Sequence, residues 1–587
     1  MNLKFQLFCS IMKRLFSEKL NDLIWERNDL KMKRYFVILS ALLLMALLTA
    51  CDRNDAELSV QTLATNDMEF TLADASNITV HSFSLGTYAL DGVYWNEDTG
   101  EQTPASIHAP LDGIIAIPEG AGVHPLVVLI HGNLATDAIT DRVYAGFDFL
   151  VQQLAAEGYV AMSINVLVDY DFAVEIDDKT ILTGESINHA WAYSIFNAHM
   201  ESLVAANAGE ETAHHLDLTG RIILDRIHMV GHSRGGRVSD MFYRFDRDAG
   251  IERIRSLSRI TTAVSFFEDV SSHPSIPVTI LMSEFDGDLL DQDGQFVFDE
   301  ILEHTTNTAP VQITYLQGAN HNFFNRFFEN DDREIVGKDH GVLFARHEST
   351  WLTRKEQENF IKHFVSAFLS MVTGESEVLS TFNPSVAQPV TMFGFPVRAS
   401  TYLQGITPLE ITEMQTTGNA VVESYVQEQW GSGGLFTHPL PSDSEKELYF
   451  TSISWTDTDA AVTFIPQETD FSKHRSLSLY VAVDSSNELN PEGQNQSFSL
   501  SLTDISGARQ TVIIPPETAA LYFHIGEKFP AADELSFDTW LMFMPVGELR
   551  VPLSYFADID LSDVASITLQ FDQTPFGAVM LSNMFLK

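Results

Sequence analysis

Between about residue 110 and residue 375, short apolar segments alternate with longer segments of helical pattern. The apolar segments are five or six residues long, are rich in Val, Ile and Leu, and mostly lack a polar residue at every second position. This pattern is typical of strands that are covered on both faces of a sheet. The predicted strands are Gly113–Pro118, Pro125–Ile130, Tyr159–Ile164, Arg226–Val230, Ile260–Ser265, Val278–Met282 and Val311–Leu316.

The segments between these strands are predicted to be helices. Alternation of strands and helices implies right-handed crossovers, and therefore an α/β fold with a doubly wound, mainly parallel sheet. The segment from Phe70 to Gly100 is expected to be an antiparallel lead-in to that sheet. The predicted helices are Asp141–Glu157, Ser186–Ala208, Arg237–Asp246, Phe296–His304 and Arg354–Met371.

The pattern changes near residue 375. From Glu377 to Lys587 the chain consists of short segments with period-two alternation and many turn residues, and no long amphipathic helix is evident. This pattern predicts an all-β sandwich of about 150 residues. The strands expected there include Ser476–Asp484, Ser497–Asp504, Ala519–Ile525 and Ser566–Asp572.

The chain is therefore divided into five predicted parts. The largest is an α/β domain, and the second largest is the β-sandwich. Residues 376–445 are expected to be a linker or a partly ordered connection between them. The parts are a leader at 1–51, a tether at 52–70, the α/β domain at 71–375, the connection at 376–445 and the sandwich at 446–587.

The segment that begins at Met32 has the pattern of a bacterial signal peptide. Lys33 and Arg34 precede an apolar run, Tyr35–Leu48, which is too short for a comfortable membrane span. Its last four residues, Leu-Thr-Ala-Cys, resemble a lipobox, in which Cys51 would be lipidated. We expect a lipid-anchored protein of the bacterial cell envelope, and a plain secretory signal is the alternative.

Charge and cysteine content exclude several classes. The chain has 35 Lys and Arg against 80 Asp and Glu, for a formal net charge of −45. This balance argues against nucleic-acid binding and against electrostatic docking on anionic lipid. The two cysteines, Cys9 and Cys51, both lie near the N-terminus, so a disulfide, a thiolate metal site or a cysteine nucleophile is excluded from the folded body.

A serine motif follows the predicted strand Arg226–Val230 and precedes a predicted helix. Glycines on both sides allow a strained strand-to-helix turn that lifts the hydroxyl of Ser233 above the sheet. The backbone N–H of Arg234 then lies at a helix N-terminus, where it can stabilise an oxyanion. The motif is Gly231-His232-Ser233-Arg234-Gly235-Gly236.

A serine hydroxyl needs a base, and the base needs a carboxylate that orients it. In a doubly wound sheet, these partners are expected after later strands. Strand Val278–Met282 leads into Asp286, the preferred acid, with Asp288 as the alternative on the same loop. Strand Val311–Leu316 leads into His321, the candidate base, after a glycine turn.

A second oxyanion donor is expected after an earlier strand. The strand Pro125–Ile130 leads into His131 and Gly132, a turn where backbone N–H groups can face the site. The donating amide would be that of Asn133, with Leu134 as the alternative.

In this order, these four segments resemble the α/β-hydrolase superfamily over roughly residues 75–375. The serine motif is similar to that of chlorophyllase-like, dienelactone-hydrolase-like and platelet-activating-factor-acetylhydrolase-like esterases. The resemblance implies that Ser233 is the nucleophile, His321 the base and Asp286 the acid. The short segment between the predicted strands Ile260–Ser265 and Val278–Met282 leaves little room for the lid that many lipases carry there.

Other side chains are weaker candidates. Asp286, Asp288, Asp291 and Asp293 form an acidic loop without the full calcium-loop pattern, so we expect a solvated loop and no metal or other cofactor. An insertion after the strand Tyr159–Ile164 carries aromatic residues that would either wall a substrate cleft or pack a helix. These are Tyr170, Phe172, Trp191 and Tyr193.

The C-terminal part offers one further candidate function. Leu549–Asp572 looks like the closing strands of a jelly roll of the carbohydrate-binding type. Trp455, Tyr480 and Trp540 are its candidate exposed aromatics. A glycan-binding module and a purely structural domain are equally compatible with this pattern.

The sequence therefore predicts a serine esterase that cleaves carboxylic esters through an acyl-enzyme. Its partners would be a small or polymer-borne ester, a glycan held by the C-terminal domain, and a membrane reached through the lipid anchor alone. The alternatives are a peptidase with the same triad and a glycan-binding lipoprotein whose hydrolase domain is an inert scaffold.

Overall fold

The computed structural model describes most of the chain after Val60, and Gln61–Lys587 form one compact unit. The predicted leader and its candidate lipidation site Cys51 lie outside the described residues and stay predictions. The residues that the structure describes are 60–95, 99, 101–133, 139–170, 173–176, 179–182, 189–263, 275–289, 293–303, 308–333, 348–427, 448–485, 487–524, 527–528, 540–541 and 546–587.

Most strands of the first 402 residues belong to one large sheet. The strands are β1 (Val60–Thr62), β2 (Asn66–Met68), β3 (His81–Trp95), β4 (Gln102–Ala116), β5 (His124–Ile130), β6 (Val160–Ile164), β7 (Ala173–Ile176), β8 (Lys179–Leu182), β9 (Ile222–His232), β10 (Ile254–Ile260), β11 (Val278–Ser283), β12 (Val311–Leu316), β13 (Pro389–Met392) and β14 (Phe395–Tyr402). The α-helices are α1 (Asp148–Ala156), α2 (Ala190–Asn207), α3 (Arg234–Asp248), α4 (Asp293–Glu303) and α5 (Arg354–Thr373).

Within the described residues the large sheet has 13 strands, in the order β2-β13-β14-β12-β11-β10-β9-β5-β6-β4-β3-β8-β7. The six central strands from β12 to β6 are parallel. Antiparallel strands flank them, with β14 next to β12 and β4 next to β6. The predicted α/β fold with a mainly parallel sheet and an antiparallel lead-in is confirmed.

Both faces of the sheet are covered, which explains the continuous apolar character of the central strands. In β5, Leu126 and Val128 join the core on the face of α2, α3 and α4. Val127 and Leu129, which alternate with them, join the core on the face of α1 and α5. Because successive side chains point to opposite faces, most positions of the central strands are buried, and β6, β11 and β12 are buried throughout.

One strand was predicted in the wrong place. The prediction put it at Ile260–Ser265, whereas β10 ends at Ile260 and begins at Ile254. The strand contains polar residues that are nonetheless buried, Ser256 and Ser258 among them. Ser256 is accommodated because its hydroxyl lies 2.8 Å from Nδ1 of His228 on β9. Because of these polar residues, β10 lacks the continuous apolar run from which the other central strands were predicted.

The later strands form two antiparallel sheets that enclose a common core; we call residues 407–587 the C-terminal β region. The strands are β15 (Thr407–Pro408), β16 (Ile411–Thr417), β17 (Val421–Gln427), β18 (Leu448–Trp455), β19 (Ala461–Pro466), β20 (Ser476–Val483), β21 (Phe498–Asp504), β22 (Arg509–Ile514), β23 (Glu527–Lys528), β24 (Trp540–Leu541), β25 (Gly547–Pro552), β26 (Val564–Gln570) and β27 (Gly577–Leu586). One sheet has the order β1-β22-β21-β26-β19-β16, and the other has the order β17-β18-β27-β20-β25.

One predicted strand of this region is not a strand. Ala519–Leu521, the start of the predicted strand Ala519–Ile525, forms a turn of 3₁₀-helix. Its three residues are buried, so the apolar run reflects packing of a short turn. A brief apolar segment does not distinguish these two structures.

The C-terminal β region and the large sheet share a buried boundary. Tyr480, Met580 and Phe585 belong to the same apolar core as helices α2 to α4, and the ring of Tyr480 lies 6.3 Å from that of Phe298 in α4. The predicted connection 376–445 contains β13 and β14, which extend the large sheet, as well as β15 to β17. The domain limits given above remain predictions.

Among the described residues, no helix combines the length and the apolar character that a bilayer crossing requires.

Candidate active site

Ser233 occupies the sharp turn between β9 and α3, with φ of 55° and ψ of −127°. The turn needs glycine on both sides. A Cβ atom on Gly231 would lie 2.1 Å from the carbonyl oxygen of Gly235, and one on Gly235 would lie 2.2 Å from that of Ile130. The backbone N–H of Ser233 donates to the carbonyl oxygen of Ile260 at 2.9 Å, which anchors the turn to the end of β10.

His321 and Asp286 form a buried pair on neighbouring loops. Nδ1 of His321 lies 2.9 Å from Oδ2 of Asp286, and each residue is 1% exposed. The other oxygen of Asp286 accepts the backbone N–H groups of Asp288 and Leu289, at 3.1 Å and 2.7 Å. The carboxylate is thus fixed on both sides, and it holds the imidazole by Nδ1 while Nε2 stays available for chemistry.

The alternative acid, Asp288, lies on the opposite side of the ring. Its Oδ2 is 3.4 Å from Nε2 of His321, and its side chain is 60% exposed. An exposed carboxylate is screened by water and holds an imidazole poorly. The geometry therefore favours Asp286 as the orienting acid.

The base loop packs directly on the serine turn. The rings of His232 and His321 are 4.9 Å apart, and Nε2 of His232 lies 3.0 Å from the carbonyl oxygen of His321. Because a carbonyl only accepts, His232 carries its proton on Nε2 and donates it. His321 is thereby tied to the residue that immediately precedes Ser233.

The predicted oxyanion turn lies against the serine from the other side. A Cβ atom on Gly132 would lie 2.7 Å from Cβ of Ser233 and 3.3 Å from its Oγ. Only glycine at position 132 leaves room for the hydroxyl. The adjoining Asn133 has a buried side-chain oxygen without a hydrogen-bond partner, and Leu134 lies outside the described residues.

His131 has a structural role in this turn. Its Nε2 accepts the backbone N–H of Val166 at 3.0 Å, so Nδ1 carries the proton and donates to the carbonyl oxygen of Gly132 at 2.7 Å. Burial lowers the pKa of His131 to about 4, and the ring is neutral in the folded protein. Tyr170 completes the support, because its hydroxyl donates to the carbonyl oxygen of His131 at 2.6 Å.

Tyr170 also contacts the serine segment. The guanidinium of Arg234 donates to the carbonyl oxygen of Tyr170 at 3.1 Å. Tyr170 and Trp191 are buried, and Tyr193 donates its hydroxyl to Asp246 across the α2–α3 interface at 2.7 Å. These three aromatics pack the scaffold rather than line a cleft, while Phe172 lies outside the described residues.

The charges around His321 are unbalanced. Burial alone would lower the pKa of His321, but the carboxylate of Asp286, helped by those of Asp288 and Asp332, raises it to about 9. Burial, followed by the charge of His321, holds the pKa of His232 well below its usual range. At neutral pH the resting site therefore contains a cationic His321 beside a neutral His232.

Two further carboxylates lie at the site and were not predicted from the sequence. Asp332 bonds backbone N–H groups of both the acid loop and the base loop. Glu284, two residues before Asp286, accepts the N–H of Gly318 at 2.7 Å, and burial raises its pKa to about 7. Neither residue belongs to a motif or has a distinctive spacing. Each is an acidic residue close to a predicted loop, and acidic residues near loops are too frequent to indicate a site.

No three His, Cys, Asp or Glu side chains come together as a metal-ligand set in the part of the chain that the structure describes. Asp291 of the acidic loop lies outside that part, and so does the side chain of Asp293.

Several solved structures are similar to about half of this chain. No protein-family model matches the sequence, and no curated protein matches it. A solved structure assigned as a dienelactone hydrolase from Klebsiella pneumoniae is 13% identical, with a TM-score of 0.29, and covers 50% of this chain and 99% of its own. A fungal esterase from Rhizomucor miehei is 12% identical, with a TM-score of 0.30, and covers 52% and 87%. A ferulic acid esterase from Streptomyces cinnamoneus is 15% identical, with a TM-score of 0.32, and covers 52% and 93%.

Proposed function

We propose that this protein is a serine hydrolase that cleaves carboxylic esters through an acyl-enzyme. The observation that carries the proposal is the buried His321–Asp286 pair, whose loop packs on the residue preceding a strained serine. A positive φ at a residue with a Cβ atom costs free energy, and such strain is concentrated at functional sites. The ψ of −127° also places Ser233 outside the left-handed helical region that non-glycine turn residues adopt.

The reaction follows from the roles of the side chains. Ser233 Oγ attacks the ester carbonyl while Nε2 of neutral His321 takes the hydroxyl proton, forming a tetrahedral intermediate. The backbone N–H groups of Arg234 and Asn133 stabilise its oxyanion. His321 then gives the proton to the leaving alcohol as the C–O bond breaks, and water repeats the sequence to release the acid.

Asp286 keeps its charge throughout the cycle. Its carboxylate fixes the tautomer in which Nδ1 carries a proton, and it stabilises the imidazolium that forms at each proton transfer. The same stabilisation raises the pKa of His321 to about 9. The neutral base that starts the cycle is therefore a minor species at pH 7.

Surface anchoring through Cys51 belongs to the same proposal, and its support is the lipobox-like sequence alone. The burial of two of the three candidate aromatic side chains weighs against glycan binding by the C-terminal β region. Trp455 is buried against Phe571, with ring centroids 4.1 Å apart, and Tyr480 is buried in the boundary with the large sheet. The side chain of Trp540 lies outside the described residues.

A panel of short p-nitrophenyl esters, tested with wild type and Ser233→Ala, decides the main proposal. We expect the variant to lose on the order of 10⁴-fold or more in kcat. The matched control is Ser370→Ala, at a partly exposed helix position of α5, which should retain wild-type turnover.

Labelling with a fluorophosphonate probe separates the alternatives. An active serine predicts one labelled site, lost in Ser233→Ala and kept in Ser370→Ala. Hydrolysis of amides but not esters would instead indicate a peptidase. Absence of labelling in folded wild type would contradict the proposal and favour an inert scaffold.

A further inference from the structure

Three consecutive residues after the base loop, Asp331 to Arg333, all bond to that loop. Asp331 accepts the side-chain N–H of Asn320 at 2.9 Å. Arg333 pairs with Asp331 at 2.7 Å and donates to the carbonyl oxygen of Gly318 at 2.8 Å. The segment thus clamps the loop on both sides of His321.

Asp332, in the middle of the segment, joins two loops. Its Oδ2 accepts the backbone N–H of Gly287 in the acid loop at 2.7 Å and that of His321 in the base loop at 3.0 Å. Its Oδ1 accepts the N–H of Asn322 at 3.0 Å. With 3% exposure, the carboxylate is a buried brace between the residue after Asp286 and His321 itself.

The fit around this brace is tight. A Cβ atom on Gly287 would lie 2.5 Å from the backbone oxygen of Asp332. The acid loop therefore approaches the segment as closely as a backbone can. A shift of Asp332 would move Gly287 with it, and Asp286 is the next residue.

Asp332 also places a second buried negative charge near the imidazole. Burial, and then the charge of Asp286, raise the pKa of Asp332 to about 6, so it is ionised at neutral pH. The charged or titratable groups that face His321 are Asp286 and Asp288 from the acid loop, Asp332 from the clamp, and His232 from the serine turn. Three of these four groups are carboxylates that favour the imidazolium.

We propose that Asp332 is a positioning residue for the proposed ester hydrolysis, which bonds the acid loop to the base loop and biases His321 toward its cationic form. The inference rests on the proposed function. Two separable effects follow: the bonds fix the geometry of the His321–Asp286 pair, and the charge sets the pH at which the base becomes neutral.

Two substitutions separate geometry from charge. Asp332→Asn keeps the size and removes the charge, but its N–H₂ group cannot accept, so in either orientation of the amide at least one of the three backbone donors loses its acceptor. We expect kcat to fall on the order of 10²-fold, as a misplacement of about 1 Å produces, with KM nearly unchanged. The acid limb of the kcat/KM profile should move to lower pH by about one unit.

Asp332→Glu keeps the charge and alters the geometry. We expect a lower kcat than wild type, with the acid limb close to that of wild type. Asp288→Asn is the matched control for charge, because Asp288 lies 3.4 Å from the ring without bonding the base loop. It should lower the acid limb by less than Asp332→Asn does, because the carboxylate of Asp288 is largely exposed. Asp74→Asn, at an exposed turn, controls for the substitution itself.

An NMR titration of the His321 imidazole gives a readout that does not depend on turnover. A pKa that is lower in Asp332→Asn than in wild type, in a variant with a cooperative thermal transition, supports the inference. A wild-type imidazole titration together with wild-type kcat in folded Asp332→Asn would overturn it. If Asp332→Asn does not fold, the kcat and titration of Asp332→Glu decide, and wild-type values for both overturn it.

Failure of the proposed function has a different signature. It would appear as ester turnover and probe labelling that are insensitive to Ser233→Ala, whatever position 332 contains. The two proposals can therefore fail separately.

Discussion

The candidate active site around His321 and the boundary between the large sheet and the C-terminal β region both bury ionised groups, but their charges are compensated differently. At the boundary, the fully buried Glu548 faces two cations, with Nε of Arg550 at 2.9 Å and Nζ of Lys587 at 2.7 Å. Burial would raise the pKa of Glu548, but these cations hold it far below its usual range. At the candidate active site, three carboxylates surround the imidazole of His321.

Glu548 is satisfied by neutral donors as well. It accepts the N–H of Thr401 in β14 at 2.9 Å, the hydroxyl of Ser478 in β20 at 2.7 Å and the amide of Gln388 at 2.6 Å. Buried polar groups with complete sets of partners rigidify a structure. The contrast teaches that the opposite charges at the boundary keep the Glu548 carboxylate ionised and hold the fold together, whereas the carboxylates around His321 keep its imidazole protonated.

The two regions are connected through Glu284. It lies in the acid loop, and its Oε1 is 3.6 Å from Nε2 of His524 in the C-terminal β region. Arg398 of β14, whose charge acts on Glu284, donates to the carbonyl oxygens of Ala519 and Tyr522, both at 3.1 Å. The C-terminal β region therefore contacts the loop that carries Asp286, and removing it would expose this cluster.

The largest expected effect comes from removing the compensated carboxylate. Glu548→Ala leaves Arg550 and Lys587 buried without their anion, and breaking such a pair costs roughly 3–5 kcal/mol. Chemical denaturation should show this loss, and catalytic activity should disappear with the fold. Glu413→Ala, at an exposed strand position of the same region, should change the free energy of unfolding little. A wild-type unfolding free energy for Glu548→Ala would remove the basis of the comparison.

The next effect concerns the uncompensated cluster. The base must be neutral, so kcat/KM should rise with pH through the pKa of His321, about 9. Below that pH the imidazolium predominates, and each unit of lower pH should cost about tenfold in kcat/KM. A kcat/KM profile between pH 6 and 10 measures this limb. A plateau that begins near pH 6.5 would show that the carboxylates do not act on His321 as described.

Glu284 should produce a smaller effect, on stability. Its folded-state pKa is raised from 4.5 to about 7, so its favourable contribution is complete below pH 4.5 and is lost as the pH rises through 7. Glu284→Gln keeps an acceptor for the N–H of Gly318 and cannot ionise. The stability difference between variant and wild type should therefore shift in favour of the variant from pH 5 to pH 8. Denaturant titrations at both pH values test this, and an unchanged difference would contradict it.

The smallest effect belongs to Asp288. Because its carboxylate is largely exposed, Asp288→Asn should lower the acid limb by about half a pH unit or less at low salt. The difference from wild type should vanish near 1 M salt, where exposed charges are screened. A shift that persists in salt would mean that Asp288 is as closely coupled to His321 as Asp286 is.

The sequence predicted what local pattern determines. Central strands such as β5 and β12 are mainly apolar, and the serine turn requires glycines at fixed positions, so both could be identified. β10 was not predicted in its place because it contains buried serines; the hydroxyl of one of them, Ser256, bonds across to His228 on β9, which no local pattern reveals. The choice between Asp286 and Asp288 needed the geometry of the loop, since both residues follow the same strand.

Long-range partners could not be predicted at all. Asp332 acts on Gly287, 45 residues earlier in the chain, through backbone N–H groups that every residue type except proline offers. Glu548 bonds Thr401 across 147 residues. Neither contact leaves a composition or a period in the sequence, because each depends on how separate elements pack.

The backbone of Ser233 has a consequence for the protein as a whole. A residue with a Cβ atom held at φ of 55° is strained by about 1–3 kcal/mol. Ser233→Gly would release this energy, because glycine adopts such angles freely. The inactive glycine form should therefore melt at a higher temperature than the active enzyme. For the proposed enzyme, thermal robustness and turnover would thus favour different residues at position 233.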